Sequence, residues 1–137
     1  MQFINQYLGE AGEIIACLDR QAIERMLTLL VEVRARGGRV FFLGVGGSAA
    51  NASHAASDFR KIAHIEAYAP TDNVAELTAR TNDDGWDTAF SGWLQISRLR
   101  PSDLVFVFSV GGGSLERNVS VNLVKAIDYA KSIGTSV

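Results

Sequence analysis

The sequence predicts an α/β fold: a three-layer α/β/α sandwich around a parallel sheet, preceded by two N-terminal helices. Three observations carry this. Arg39-Val40-Phe41-Phe42-Leu43 and Asp103-Leu104-Val105-Phe106-Val107-Phe108 are apolar without a break after their first residue, as strands buried on both faces are. Each run ends in a turn of glycine and serine, Gly44-Val45-Gly46-Gly47-Ser48 and Ser109-Val110-Gly111-Gly112-Gly113-Ser114. Each turn is followed by a stretch of helical periodicity. Repeated strand–turn–helix units give parallel sheets with right-handed crossovers.

Taken in order, Ile4, Leu8, Ile14, Ile15 and Leu18 recur at helical spacing, as do Ile23, Met26, Leu27, Leu30, Val31 and Val33. Asp19 is placed to cap the second helix, and Gly37-Gly38 to stop it. This helical pair over residues 1–36 carries an apolar face for a domain or another subunit. The α/β core follows over 37–137, and together they form a single domain spanning 1–137. After the first strand and turn, a helix is expected from Ala49 to Ala63, then a short strand at Ile65–Tyr68. Thr71–Arg80 reads as a helix with Asn73 and Glu76 spaced as a capping box. Asn82-Asp83-Asp84-Gly85 reads as a turn, and Trp86–Leu99 as a helix. The second strand and turn lead to a helix expected over Leu115–Ser132, ended by Gly134. Thr135-Ser136-Val137 has the character of a further strand just beginning. That ending leads us to expect that the C-terminal part of the fold is missing from this sequence.

Composition narrows the function. The 137 residues are 47% hydrophobic and 20% charged, with a net charge of −2 and no block of Lys or Arg. No nucleic-acid partner is expected, because that needs a basic surface. No apolar run approaches the ~20 residues of a membrane span, and Met1-Gln2-Phe3-Ile4-Asn5-Gln6 lacks a signal-peptide pattern. We expect no membrane and a cytoplasmic location. The single cysteine, Cys17, excludes an intramolecular disulfide. Within an amphipathic stretch it is expected to be a buried small apolar residue.

The two turns are the first candidate site. In an open parallel sheet, ligands sit beyond the carboxyl ends of the strands, where both turns belong. Glycines let the backbone approach a ligand and present its N–H groups. The following helix N-terminus favours an anion such as phosphate. Ser48, Ser109 and Ser114 add hydroxyl donors, and Ser48 and Ser114 stand where N-caps belong. The dinucleotide fingerprint and the Walker A motif are both absent.

The second candidate is the helix after the first turn. Asn51, His54, Asp58 and Lys61 fall in one stripe, opposite Ala52, Ala56, Phe59 and Ala63. His54 and Asp58, one turn apart, suit a metal or a proton-transfer pair. The same spacing also suits a solvated ion pair.

Together these residues resemble the sugar isomerase (SIS) domain family, and within it the phosphoheptose isomerases. The resemblance covers essentially all of the chain. It implies an aldose–ketose isomerase acting on sedoheptulose 7-phosphate in bacterial surface-polysaccharide heptose synthesis, assembled as a homotetramer. It implies a substrate and phosphate site of Gly46, Gly47, Ser48, Asn51, Asp83, Ser109, Gly111, Gly112 and Ser114. Val110 and Gly111 stand where the family has a threonine and a serine, and Asn51 where aspartate is common. The resemblance implies Asp58 as the catalytic carboxylate, in place of the family's glutamate, and His54 with Asp58 as metal ligands, zinc being the implied ion. The family's remaining glutamine and histidine lie on a later helix, so the resemblance implies that catalysis needs residues beyond Val137. A non-catalytic SIS module that binds a protein such as a replication initiator is the alternative, as is another phosphosugar isomerase.

Overall fold

The structure, a computed structural model, describes all residues from Met1 to Val137. Its centre is β1 (Val40–Leu43), whose four residues are all buried. It is flanked by β2 (Ala67–Tyr68) and β3 (Leu104–Val107), both parallel, in the order β2-β1-β3. Val40 pairs with Ala67 on one side and Leu104 on the other. Successive strand side chains alternate faces, so β1 feeds two cores. Val40 and Phe42 join Val33, Ala52, Ala56 and Ile65 on one face. Phe41 and Leu43 join Phe90, Leu94, Leu123 and Ala126 on the other.

Those partners define the helical layers. On the first face lie α2 (Arg20–Ala35) and α3 (Gly47–Lys61). On the second lie α4 (Val74–Asp83), α5 (Ala89–Ile96) and α6 (Val121–Ile133). The three-layer parallel architecture is the one the sequence predicts. Asp19 caps α2 by accepting the Ala22 N–H at 3.0 Å, and Gly37 follows the helix in a left-handed conformation. Gly134 ends α6 in the same way. Asn73 caps α4 by accepting from the Glu76 N–H at 3.2 Å. Only half of the capping box forms, because the Glu76 carboxylate is taken by Arg80 at 2.7 Å.

The amino-terminal ends of β1 and β3 are held by a buried ion pair. Asp103 is only 1% exposed. It accepts from the Arg39 backbone N–H at 2.9 Å, from Arg39 Nη2 at 2.7 Å and from the Arg100 N–H at 2.9 Å. Arg39 also donates to the carbonyls of Ser97 and Arg98 and lies over the Phe41 ring. The hydrogen bond that Arg39 donates to Asp103 raises the Arg39 pKa, against the opposing effect of burial. Thus the two charged residues that open the apolar runs form one staple.

Four expectations need correction. Cys17 is exposed, not buried. It follows α1 (Gln2–Ala16), which buries none of its own residues, so the apolar stripe of Phe3, Ile4, Tyr7, Leu8, Ile14 and Ile15 is uncovered. Second, α3 begins at Gly47 with Gly46 as its cap, so Ser48 lies inside the first turn rather than capping it. Third, Asn82 and Asp83 are the last residues of α4; the turn starts at Asp84 and passes through Gly85 at φ +86° into a 3-10 turn at Trp86–Thr88. Fourth, α6 begins at Val121, not Leu115, and its N-cap is Ser120 rather than Ser114. Asn118 and Ser120 are both left-handed, a conformation that cannot continue a right-handed helix.

Ser136 makes a parallel bridge to Leu104, and its carbonyl accepts from the Val105 N–H at 3.0 Å. No helix is long and apolar enough to cross a membrane.

Candidate functional site

Parallel strands deliver their carboxyl ends to one edge, so the turns after β1 and β3 are brought together. The Phe108 N–H donates to the Leu43 carbonyl at 2.9 Å, which extends the ladder up to the turns. Between them lies a cleft of about 240 Å³. Val45 and Ser48 line it from the first turn, Phe108 to Gly112 from the second, Val119 and Ser120 from the approach to α6, and Leu123 from the first turn of α6.

Local geometry explains the glycines. A Cβ on Gly44 would fall 2.3 Å from the Ser48 carbonyl oxygen, so only glycine allows the strand to meet the first turn of α3. Gly46 and Gly112 have φ near +62° and +66°, which glycine adopts without steric cost. Helix α3 starts at the first turn and α6 at the end of the segment that follows the second. The early N–H groups of a helix have no partner four residues back and favour anions; here those of Ser48 and Ala49 turn to the Val45 and Gly46 carbonyls at 3.2 and 3.0 Å. The cleft is therefore a small concave surface of hydroxyls, backbone and apolar side chains, with no charged residue in its lining.

The structure brings Ser48, Ser109, Gly111 and Gly112 into this cleft. Gly46 and Gly47 shape the first turn without lining the cleft, and Ser114 sits at the base of a hairpin beside it. Asn51, His54 and Asp58 run outward along α3, and Asp83 is exposed at the end of α4, where its carboxylate accepts from Asn82 Nδ2 at 2.7 Å. Ser120 lines the cleft and was missed by sequence reasoning. Its signal lay in the step from Ser120 to the buried Val121-Asn122-Leu123, hidden by the longer helix expected there.

His54 Nε2 and Asp58 Oδ2 are 3.2 Å apart on α3, with side chains 79% and 48% exposed. So open a pair contributes little to stability. His54→Ala should shift the thermal midpoint by no more than about 1–2 °C, given the few tenths of a kcal/mol of an exposed pair; a calorimetric scan checks this. Both groups are zinc-type donors, but catalytic zinc takes three protein ligands. No third His, Cys, Asp or Glu joins them in this chain, so no chemical step is assigned to zinc.

A parallel three-layer sandwich with a cleft between two glycine turns at the carboxyl edge of its sheet defines the class of α/β domain. Comparison with known proteins makes this specific. The SIS domain profile matches residues 6–137, and the chain belongs to the SIS domain family. It is 33% identical over 135 residues to a phosphoheptose isomerase of Chlorobaculum parvum, covering 93% of this chain and 61% of that protein. It is 31% identical to the lincomycin biosynthesis protein LmbN of Streptomyces lincolnensis, covering 98% and 50%. A phosphoheptose isomerase structure from Francisella tularensis superposes with a TM-score of 0.83 at 25% identity, covering 98% of this chain and 70% of that one. The chain thus spans half to three-fifths of the length of these two sequence relatives.

Proposed function

We propose that this chain is the phosphosugar-binding domain of a phosphoheptose isomerase, acting on sedoheptulose 7-phosphate. The observation that carries the reading is the meeting of both glycine turns in one cleft. Ser48, Ser109, Ser120 and the nearby backbone N–H groups hold the phosphate and fix the sugar's position. Gly46 and Gly47 shape the first turn, Gly111 and Gly112 the second, while Ser114, Asn51 and Asp83 are the remaining polar groups assigned to the substrate's surroundings.

Isomerisation removes a proton from C1 of the ketose, forms an enediol, and returns a proton to C2. Asp58 is the carboxylate assigned to one of these transfers. His54, 3.2 Å away, orients it. Asp58 lies on the outer stripe of α3, so the proposal includes a homo-oligomer, a tetramer in the family's manner, with sites shared between subunits. The uncovered apolar stripe of α1 supports such an assembly. His54 and Asp58 are the two zinc donors this chain offers. The proposed setting is heptose synthesis for bacterial surface polysaccharide, in the cytoplasm.

Turnover of sedoheptulose 7-phosphate by the intact protein tests the reading. Asp58→Asn should lower kcat about 10²-fold, the lower end of the range for a proton-transfer group, with KM little changed. Equal turnover by wild type and Asp58→Asn would remove Asp58 from the chemistry. Ser109→Ala should weaken sugar-phosphate binding about tenfold, the scale of one charge-assisted hydrogen bond, as read by titration calorimetry.

A further inference from the structure

The segment between the second glycine turn and α6 is a tight hairpin at the edge of the cleft. Ser114 and Val119 exchange both backbone hydrogen bonds at 2.9 Å. The tip is closed by the Asn118 N–H to the Leu115 carbonyl and by the Arg117 N–H to Ser114 Oγ, each at 3.2 Å. Asn118 takes the left-handed conformation that the reversal needs. The base of the hairpin is part of the cleft itself, because Val119 and the adjacent Ser120 line it. Arg117 is thereby held two residues from the lining.

The charge distribution gives this placement a meaning. A phosphate monoester carries about −1.5 to −2 at neutral pH, yet no charged side chain lines the cleft. Hydroxyls and backbone N–H groups solvate such an anion without supplying a counter-charge. Lys125, on the second turn of α6, lies 3.5 Å from Asp87. The Arg117 side chain is exposed and makes no ion pair or hydrogen bond. Arginine matches phosphate geometry with a fork of donors and is weakly hydrated.

We propose that Arg117 is a phosphate-binding residue, supplying the positive charge that the cleft lacks from a hairpin whose base lines it. The proposal rests on the phosphosugar reading of the cleft. Glu116, its neighbour at the tip, opposes an incoming dianion. The hairpin is thus a specificity element that favours phosphorylated over unphosphorylated sugars.

The test is calorimetric binding of sedoheptulose 7-phosphate and of unphosphorylated sedoheptulose to the whole chain and its variants. Arg117→Gln should weaken sugar-phosphate binding about tenfold and flatten its salt dependence. It should leave the weak affinity for the free sugar unchanged, a result that general damage to the fold would not give. Arg117→Lys should restore most of the loss, and Glu116→Gln should tighten binding. Wild-type affinity and salt dependence in Arg117→Gln, with binding still weakened in Ser109→Ala, would overturn this proposal and leave the cleft reading intact. Absence of sugar-phosphate binding by the wild-type chain would overturn both.

Discussion

Replacing Asp103 with alanine is expected to cost about 3–5 kcal/mol of folding stability, the range for removing one partner of a buried ion pair. A domain of this size has only about 5–15 kcal/mol in total. The carboxylate is buried and accepts from Arg39 and from the Arg100 N–H. Its loss strands those donors and leaves a guanidinium that cannot shed its proton. The damage falls at the amino ends of β1 and β3, because Arg39 also anchors the Ser97 and Arg98 carbonyls. Asp103→Asn keeps the shape and should fall between wild type and Asp103→Ala. Urea denaturation at neutral pH measures the difference, and a loss below 1 kcal/mol for Asp103→Ala would contradict the account.

Gly44→Ala should disable the cleft. The added methyl would sit 2.3 Å from the Ser48 oxygen, 2.4 Å from its carbonyl carbon and 2.9 Å from the Ala49 nitrogen. All three are backbone atoms, so no side-chain rotation relieves the clash. The first turn of α3 has to move and take Ser48 with it. We expect a destabilisation of about 3 kcal/mol, the upper end for overpacking. Sugar-phosphate affinity should fall at least ~10²-fold, because a shift of about 1 Å is that costly to a positioned site. Gly47→Ala is the control: its methyl would meet nothing within 4 Å. Inside α3 it should be neutral or add up to about 1 kcal/mol of stability. Equal binding by Gly44→Ala and Gly47→Ala would show that the approach of β1 to α3 does not shape the site.

Much of this molecule can be read from local sequence. Continuous apolar runs marked β1 and β3, and a parallel sheet then required both glycine turns to share an edge. The caps at Asp19, Asn73 and Gly134 were legible because each acts within a few residues of itself. The stripe of Asn51, His54 and Asp58 opposite Ala52 and Ala56 followed from helical spacing alone. What local pattern could not supply was partnership over distance. Arg39 and Asp103 are sixty-four residues apart, and nothing near either residue announces the other. Cys17 was misjudged because periodicity identifies an apolar face without showing whether anything covers it. The start of α6 was missed because left-handed Asn118 and Ser120 interrupt a stretch whose composition suits a helix. That error hid both Ser120 and the hairpin carrying Arg117.

The most direct test of the central claim is amide chemical-shift mapping of the chain during titration with sedoheptulose 7-phosphate. The account predicts saturable shifts concentrated at Val45–Ser48 and across Ser109–Leu123, the two sides of one cleft. Saturable shifts confined to other surfaces, such as the apolar groove between α2 and β3 lined by Met26, Leu29 and Val105, or no saturable shifts at all, would contradict it.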